Sequence, residues 1–139
     1  MIDKDLVHRK LEDIITFMEE LEKMLRFSDH EIERDFFKHR TAERLLQLIV
    51  DTMIDINLHL IRAERLVVPD DFQSSFKILA KQSILPMEFA EKIAPIVGLR
   101  NRVIHRYAEI DMKRFLSELR NEYRDFSEYV ALIKKYTDL

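Results

Sequence analysis

One short segment of this sequence, residues 99–107, concentrates side chains that can bind a phosphate and move a proton. Arg100, Asn101, His105 and Tyr107 lie within it. An arginine guanidinium presents a planar fork of donors that matches phosphate oxygens, and a histidine imidazole titrates near neutral pH. These residue types predict phosphate chemistry at this segment.

The spacing of Arg100 and His105 bears on how the chain assembles. On an ideal helix, which turns by about 100° per residue, the two side chains point about 140° apart. One regular helix does not place both on the same phosphate, whereas a distorted helix or a symmetric partner subunit can. We expect a homodimer on this ground. The competing interpretation is that His105 is a surface residue stabilised by the dipole at a helix end.

The composition favours an all-α fold. The chain of 139 residues has one Gly and three Pro, and it is rich in the residues with high helix propensity. Its length is typical of one domain that buries a core without disulfides. We therefore predict a single domain over residues 1–139, built as a bundle of four or five helices. Apolar periodicity and capping residues predict five helices and a shorter segment. The five helices cover about residues 3–26, 37–66, 70 or 71 to 82, 86 onward, and 111–136. A short helix or turn that runs through residue 36 precedes the second of them.

Proline and glycine interrupt the fourth of these helices just before the reactive segment. Pro95 lacks the N–H of one helical hydrogen bond, and Gly98 lowers the preference for helix. We therefore expect a kinked or irregular backbone ahead of Arg100.

A row of polar side chains on the second long helix is another candidate site. Glu43, Gln47, Asp51, Asp55 and His59 follow at intervals of four residues, so neighbours in the row can touch. Asp55 and His59 have a spacing compatible with a metal ion, but such a row is typically a solvated face. If the row faces inward, an ion pair of Asp51 or Asp55 with an arginine of the reactive segment is favoured over a metal, and we predict no metal site.

The overall chemistry of the chain narrows the function classes. The absence of Cys excludes thiolate zinc sites and cysteine nucleophiles. A formal net charge of -3 gives no general attraction for nucleic acid, so polyanion binding requires a local basic patch. No apolar run approaches the roughly 20 residues that span a bilayer, and the N-terminus lacks the pattern of a signal peptide. We expect a cytoplasmic protein with no membrane segment.

The run Arg100-Asn101-Arg102-Val103-Ile104-His105-Arg106-Tyr107 resembles the R-x-x-x-x-H motif, in its R-N-x-x-x-H-x-Y form, of HEPN-domain ribonucleases of the HepT-like toxin group. The resemblance extends over nearly the whole chain, including residues 42–59, 68–79 and 107–111. It implies a HEPN-type helical bundle, a homodimer with the motifs at its interface cleft, and metal-independent RNA cleavage. It also implies a cognate MNT-type nucleotidyltransferase antitoxin that attaches AMP to the motif tyrosine, here Tyr107.

The residues of the motif fit the chemistry that this resemblance implies. Cleavage of RNA without a metal requires a base for the 2′-hydroxyl proton, an acid for the leaving 5′-oxygen and a cation for the charge on the phosphorane. His105 can perform either proton transfer, and Arg100 can supply the cation. Asn101 can orient His105 or bind the phosphate. Tyr107 can stack on a base or bind a phosphate, and two further side chains add positive charge, namely Arg102 and Arg106.

A non-catalytic protein of the same fold is the alternative. A HEPN-like dimer that binds RNA or nucleotides, or that serves as an interaction scaffold, would carry much of the same motif. Turnover of RNA distinguishes the two, and the sequence does not show turnover.

Overall fold

The structure, a computed structural model, describes residues 1–105 and 110–139, and that part of the chain forms seven helices and no strand. Three of the helices are long and four are short. In chain order they are α1 (Lys4–Met24), α2 (Asp29–Arg34), α3 (Phe36–Ala63), α4 (Ser74–Lys81), α5 (Met87–Ile93), α6 (Ile96–His105) and α7 (Met112–Thr137). None of these helices is long and apolar enough to cross a membrane. The all-α prediction is confirmed.

Side-chain caps fix the starts of several helices where the sequence predicts them. Ser28 and Glu31 form the expected capping box at the start of α2. Asp111 accepts a hydrogen bond from the backbone N–H of Arg114 and begins α7. The predicted cap of α4 at residue 70 or 71 is wrong: α4 begins at Ser74, its cap position is Gln73, and the Gln73 side chain makes no cap hydrogen bond, although Asp71 accepts one at 2.7 Å from the N–H of Ser74.

The helix α3 ends three residues before the predicted boundary at residue 66. Arg65 adopts a left-handed conformation with φ of 55°, and the N–H of Leu66 bonds to the carbonyl of Ile61. This arrangement closes the helix end and satisfies its last carbonyls. The stop therefore comes from the left-handed residue and not from Pro69.

The predicted fourth helix is divided into α5 and α6 by a turn at Ala94 and Pro95. Pro95 has no N–H to continue the ladder of α5, so the kink expected there is confirmed. Gly98 lies inside α6 and does not break it. This division and the short helix α2 raise the number of helical segments from the four or five predicted to seven in the described part of the chain.

The central element of the fold is α3. It contacts α1, α2, α4, α6 and α7, so side chains are buried around most of its circumference. Leu46, Val50 and Met53 are fully buried, whereas Leu48 and Thr52 on the same helix are half-buried. A helix with neighbours on several sides has no single apolar stripe. Because α3 is central, it brings its polar row close to α6.

Candidate active site

An open groove between α6 and the loop before α4 contains three residues of the motif. Its volume of about 410 Å³ lies in the range of small-ligand sites. Arg100, Asn101 and His105 line the groove from α6. The facing wall consists of residues 70–73, which are Asp70, Asp71, Phe72 and Gln73.

The conformation of the Arg100 side chain explains how Arg100 and His105, which point in different directions on an ideal helix, both line one groove. Its Nε donates a hydrogen bond of 2.7 Å to Asp51 Oδ1, and its Nη1 donates one of 2.9 Å to Asn101 Oδ1. The second bond draws the guanidinium along α6 toward Asn101. A guanidinium has five N–H groups, and within residues 1–105 and 110–139 the other three make no hydrogen bond. They are available for phosphate oxygens.

The ion pair of Asp51 and Arg100 is partly shielded from solvent. The Arg100 side chain is 17% exposed and that of Asp51 is 36% exposed. Partial burial strengthens the attraction between the charges and holds the long arginine side chain in one position. The ion pair that the sequence analysis favoured over a metal site is therefore present at Asp51.

Phe72 forms the apolar part of the groove. The centroid of its ring lies 5.7 Å from the guanidinium carbon of Arg100, within the range of a cation–π contact. The side chain is 44% exposed. The sequence analysis missed Phe72, although an exposed aromatic residue flanked by Asp71 and Gln73 is a signal for a binding loop.

Arg102 lies on a different side of α6 from the groove. Its guanidinium binds Glu118 of α7, which also accepts a hydrogen bond of 2.9 Å from Arg114. The structure therefore does not bring Arg102 to the groove with Arg100. Arg106 and Tyr107 lie outside the described residues.

The sequence profile of HepT-like ribonucleases matches residues 14–133 of the chain. The chain belongs to the HepT-like ribonuclease family. It is 32% identical over 135 residues to the tRNA nuclease HepT of Aphanizomenon flos-aquae, covering 97% of this chain and 92% of that protein. It is 26% identical over 104 residues to the mRNA nuclease HepT of Shewanella oneidensis, covering 75% and 78% of the two chains. The prediction of a ribonuclease is confirmed at the level of the family.

Solved structures share the fold of this HepT-like ribonuclease. The tri-AMPylated HEPN toxin of Shewanella oneidensis, in complex with an MNT antitoxin, superposes with a TM-score of 0.86 at 23% identity, covering 94% of this chain and 98% of that chain. The cytosolic protein YutE of Bacillus subtilis, of unknown function, also has a TM-score of 0.86, at 11% identity, with 99% and 94% covered. These likenesses confirm the HEPN-type bundle.

The polar row of α3 in this HepT-like ribonuclease is divided among several partners. Asp55 lies 3.2 Å from Lys10 Nζ, and His59 Nε2 accepts a hydrogen bond from the backbone N–H of Asp3. Glu43 is buried near His39, so the interpretation as a solvated face is wrong at that position. Among the described residues, no three His, Asp or Glu side chains are grouped so that they could hold a metal ion.

A chain of buried hydrogen bonds connects the core to the groove. The hydroxyl of Tyr129 lies 2.6 Å from Asn57 Oδ1, and Asn57 Nδ2 donates at 3.0 Å to Ser75 Oγ. The Ser75 hydroxyl donates at 2.6 Å to the carbonyl oxygen of Phe72. Tyr129, Asn57 and Ser75 are fully buried. This chain, here called the Tyr129–Asn57–Ser75 chain, fixes the backbone of the loop that carries Phe72.

One carboxyl group with a shifted pKa lies on α7, outside the groove. Burial, together with hydrogen bonding to the neighbouring Asp125 and its charge, raises the pKa of Glu122 to about 7. Asp125 is buried, and its Oδ1 lies 3.0 Å from Lys92 Nζ. This contact raises the pKa of Lys92. The raised pKa values of Glu122 and Lys92 therefore belong to a cluster around the buried Asp125, on α7 and α5, that is separate from the groove.

Proposed function

We propose that this HepT-like ribonuclease cleaves RNA in the groove, with Arg100 binding the scissile phosphate and His105 transferring a proton. The observation that carries the proposal is that both side chains line one groove. Arg100 is held by Asp51 and Asn101 in a position that leaves guanidinium donors for phosphate oxygens. Phosphorane stabilisation by such a fixed cation is worth several kcal/mol in related chemistry, on the order of 2–4.

The reaction is an internal transfer of the phosphoryl group. A base removes the proton of the 2′-hydroxyl, the 2′-oxygen bonds to phosphorus, and the bond from phosphorus to the 5′-oxygen breaks. An acid donates a proton to the leaving 5′-oxygen. The products are a 2′,3′-cyclic phosphate and a 5′-hydroxyl. His105 performs one of the two proton transfers, and Asn101 orients it or binds the phosphate.

Asp51 serves as a positioning residue in this proposal. Its carboxylate contacts Arg100 and not the substrate, and the ion pair restrains the arginine before RNA binds. Asp55 is one helical turn away, is exposed and contacts Lys10 instead. Asp55 therefore has no direct role in the proposal, although the sequence analysis gave both carboxylates the same possible supporting role.

The second proton transfer supports a homodimer. One imidazole serves either as base or as acid at a given moment, and a second copy of the chain supplies another His105. Gly98, Asn101 and His105 share a face of α6 at three- and four-residue spacing. A Cβ atom at Gly98 would meet nothing within 4 Å, so a second copy can approach this face closely. We place the two motifs at the dimer interface.

Control by an MNT-type antitoxin completes the proposal. The family resemblance assigns AMP attachment to Tyr107, and the Shewanella HEPN toxin is tri-AMPylated in complex with its MNT antitoxin. An AMP group two residues beyond His105 adds bulk and negative charge that repel the RNA phosphate. We therefore propose that this chain is the toxin of a toxin–antitoxin pair and acts in the cytoplasm.

Cleavage assays on purified protein test the catalytic proposal. The substrates are tRNA and mRNA transcripts, since the two curated relatives are named for these classes, and a chelator is present throughout. We expect cyclic phosphate ends, with cleavage lost in His105→Ala and Arg100→Ala. Arg102→Ala is the matched control, because Arg102 lies on the same helix but binds Glu118.

Full cleavage by His105→Ala, or strict dependence on a divalent ion, contradicts the mechanism. A folded dimer that binds RNA without cleaving it favours the non-catalytic alternative.

Mixing the wild type with an inactive variant tests the dimer. If the reaction needs His105 from both protomers, a heterodimer of the wild type and His105→Ala contains one His105 and does not cleave, so an excess of His105→Ala should suppress the activity of the wild type. Light scattering gives the oligomeric state directly. A monomer at micromolar concentration that still cleaves RNA rules out a shared site.

Co-expression with an MNT-type nucleotidyltransferase tests the control model. Intact-mass analysis and peptide mapping should locate AMP on Tyr107, and Tyr107→Phe should escape modification while keeping part of its cleavage activity. Modification of a different residue contradicts the assignment.

A further inference from the structure

We propose that Phe72 is the surface on which a nucleobase of the RNA stacks, next to the phosphate that Arg100 binds. This inference rests on the proposed function, because it places the substrate in the same groove. It adds a residue from outside the motif to the site and assigns the groove two ends, one for a phosphate and one for a base.

The position of the ring supports the assignment. Phe72 lines the groove together with Arg100 and His105, and 44% of its side chain remains exposed. An aromatic ring left open beside a cation is the arrangement that binds single-stranded nucleic acid, with the base on the ring and the phosphate on the cation. Stacking on an aromatic side chain tolerates any base, because every base has a π-face.

The backbone under the ring is fixed before the substrate arrives. Ser75 Oγ donates to the carbonyl oxygen of Phe72 at 2.6 Å, and Asn57 and Tyr129 continue this contact into the core. Exposed apolar side chains on unrestrained loops lose conformational entropy when they bind. The Tyr129–Asn57–Ser75 chain removes part of that cost for Phe72.

The negative charges of residues 70–73 favour one orientation of the bound nucleotide in the groove. Asp70 and Asp71 line the same wall as Phe72, and their carboxylates repel a phosphate placed beside them. Carboxylates accept hydrogen bonds from the amino groups of bases. Asp71 Oδ1 already accepts from the N–H of Ser74, so a base amino group would bind the Asp70 carboxylate or the second oxygen of Asp71. The phosphate therefore belongs at the Arg100 end and the base at the Phe72 end.

Tryptophan fluorescence tests stacking directly, because the chain has no Trp. The double variant Phe72→Trp/His105→Ala has a single indole at the proposed stacking surface. Its cleavage is impaired by the loss of His105, so the RNA stays intact during the titration. Titration with a mixed-sequence single-stranded RNA should quench this fluorescence, because a base that stacks on the indole lies in direct contact with it. Phe37→Trp in the same background is the matched control, since Phe37 is 79% exposed at the start of α3 and outside the groove. Equal quenching of the two proteins, or none at position 72, overturns the proposal.

Kinetics provide a second test with an independent readout. Phe72→Ala should raise the KM for RNA by about five- to a hundredfold, the range expected for losing one stacked base, while Phe72→Tyr keeps KM near that of the wild type. Circular dichroism confirms that both variants fold. If the wild type cleaves RNA and Phe72→Ala has an unchanged KM, this inference is wrong and the proposed function stands. If the wild type does not cleave, the proposed function fails, and quenching at position 72 still decides whether RNA stacks there.

Discussion

Replacing Tyr129 with Phe tests whether the buried hydrogen-bond chain stabilises the fold. Phenylalanine keeps the ring that fills the core and removes only the hydroxyl, which lies 2.6 Å from Asn57 Oδ1 and 3.1 Å from the Met53 carbonyl oxygen. Asn57 is fully buried, so water does not readily replace the lost donor. A buried acceptor left without a partner costs about 1–3 kcal/mol.

The expected loss of thermal stability follows from the chain length. For 139 residues the entropy of unfolding is about 0.3 kcal/mol/K. A destabilisation of about 2 kcal/mol therefore lowers Tm by about 7 °C. Differential scanning calorimetry measures the shift. Because the same chain fixes the carbonyl of Phe72, the KM for RNA should rise as well.

Tyr123→Phe is the matched control for this experiment. Its hydroxyl donates at 3.2 Å to the Met18 carbonyl oxygen, but the side chain is only half-buried. Solvent can satisfy the carbonyl after substitution, so the Tm should fall by less than about 3 °C. A fall of less than about 2 °C for Tyr129→Phe would refute the reasoning, because it would mean that Asn57 finds another donor.

Three further outcomes are expected. Burial and Asp125 raise the pKa of Glu122 from 4.5 to about 7, so between these pH values the folded protein binds a proton that the unfolded chain releases, and its stability falls as pH rises. Glu122→Gln should reduce this fall in stability by about 1 kcal/mol after allowance for solvent screening. An unchanged dependence of Tm on pH would contradict the assignment. At protein concentrations low enough to keep the chain monomeric, Gly98→Ala should raise Tm by about 2–3 °C, since the added Cβ meets nothing within 4 Å and alanine favours helix by about 0.5–1 kcal/mol. A lower Tm under the same conditions would be inconsistent with this open space. Asp51→Asn should lower kcat/KM for RNA by about tenfold through loss of the charge that restrains Arg100, with Asp55→Asn as the control, and equal effects of the two substitutions would show that Asp51 has no special role.

The parts of the fold that depend on neighbouring residues could be predicted from the sequence. Asp111 begins α7 as expected, because a cap and the helix that it starts are adjacent in the chain. The kink at Pro95 was also predictable, since a missing N–H acts on its own turn. The end of α3 was missed because Arg65 adopts the left-handed conformation that glycine usually marks in a sequence, and arginine gives no such signal.

The candidate site could be predicted only in part, because its contacts join distant positions. Arg100 and Asp51 are 49 residues apart, and periodicity on α3 left the direction of the polar row open. Asn57 was a readable signal, since it is a polar residue within an apolar stretch of α3. Its partner Ser75 lies 18 residues further along the chain, beyond the reach of a local pattern. The flanking Asp71 and Gln73 mark Phe72 as a loop residue, but its position opposite α6 could not be predicted from a local pattern.

The hydrogen bonds between α3, α7 and the Phe72 loop also determine when the groove becomes ordered. Tyr129 and Asn57 belong to the core, so this part of the groove acquires its shape in the same cooperative step that forms the core. The conformational entropy of ordering the loop is lost during folding and not during binding. Amide hydrogens of the loop that are hydrogen-bonded should therefore exchange at rates close to those of global unfolding. Mutations that destabilise the core will weaken the groove even when they lie far from it.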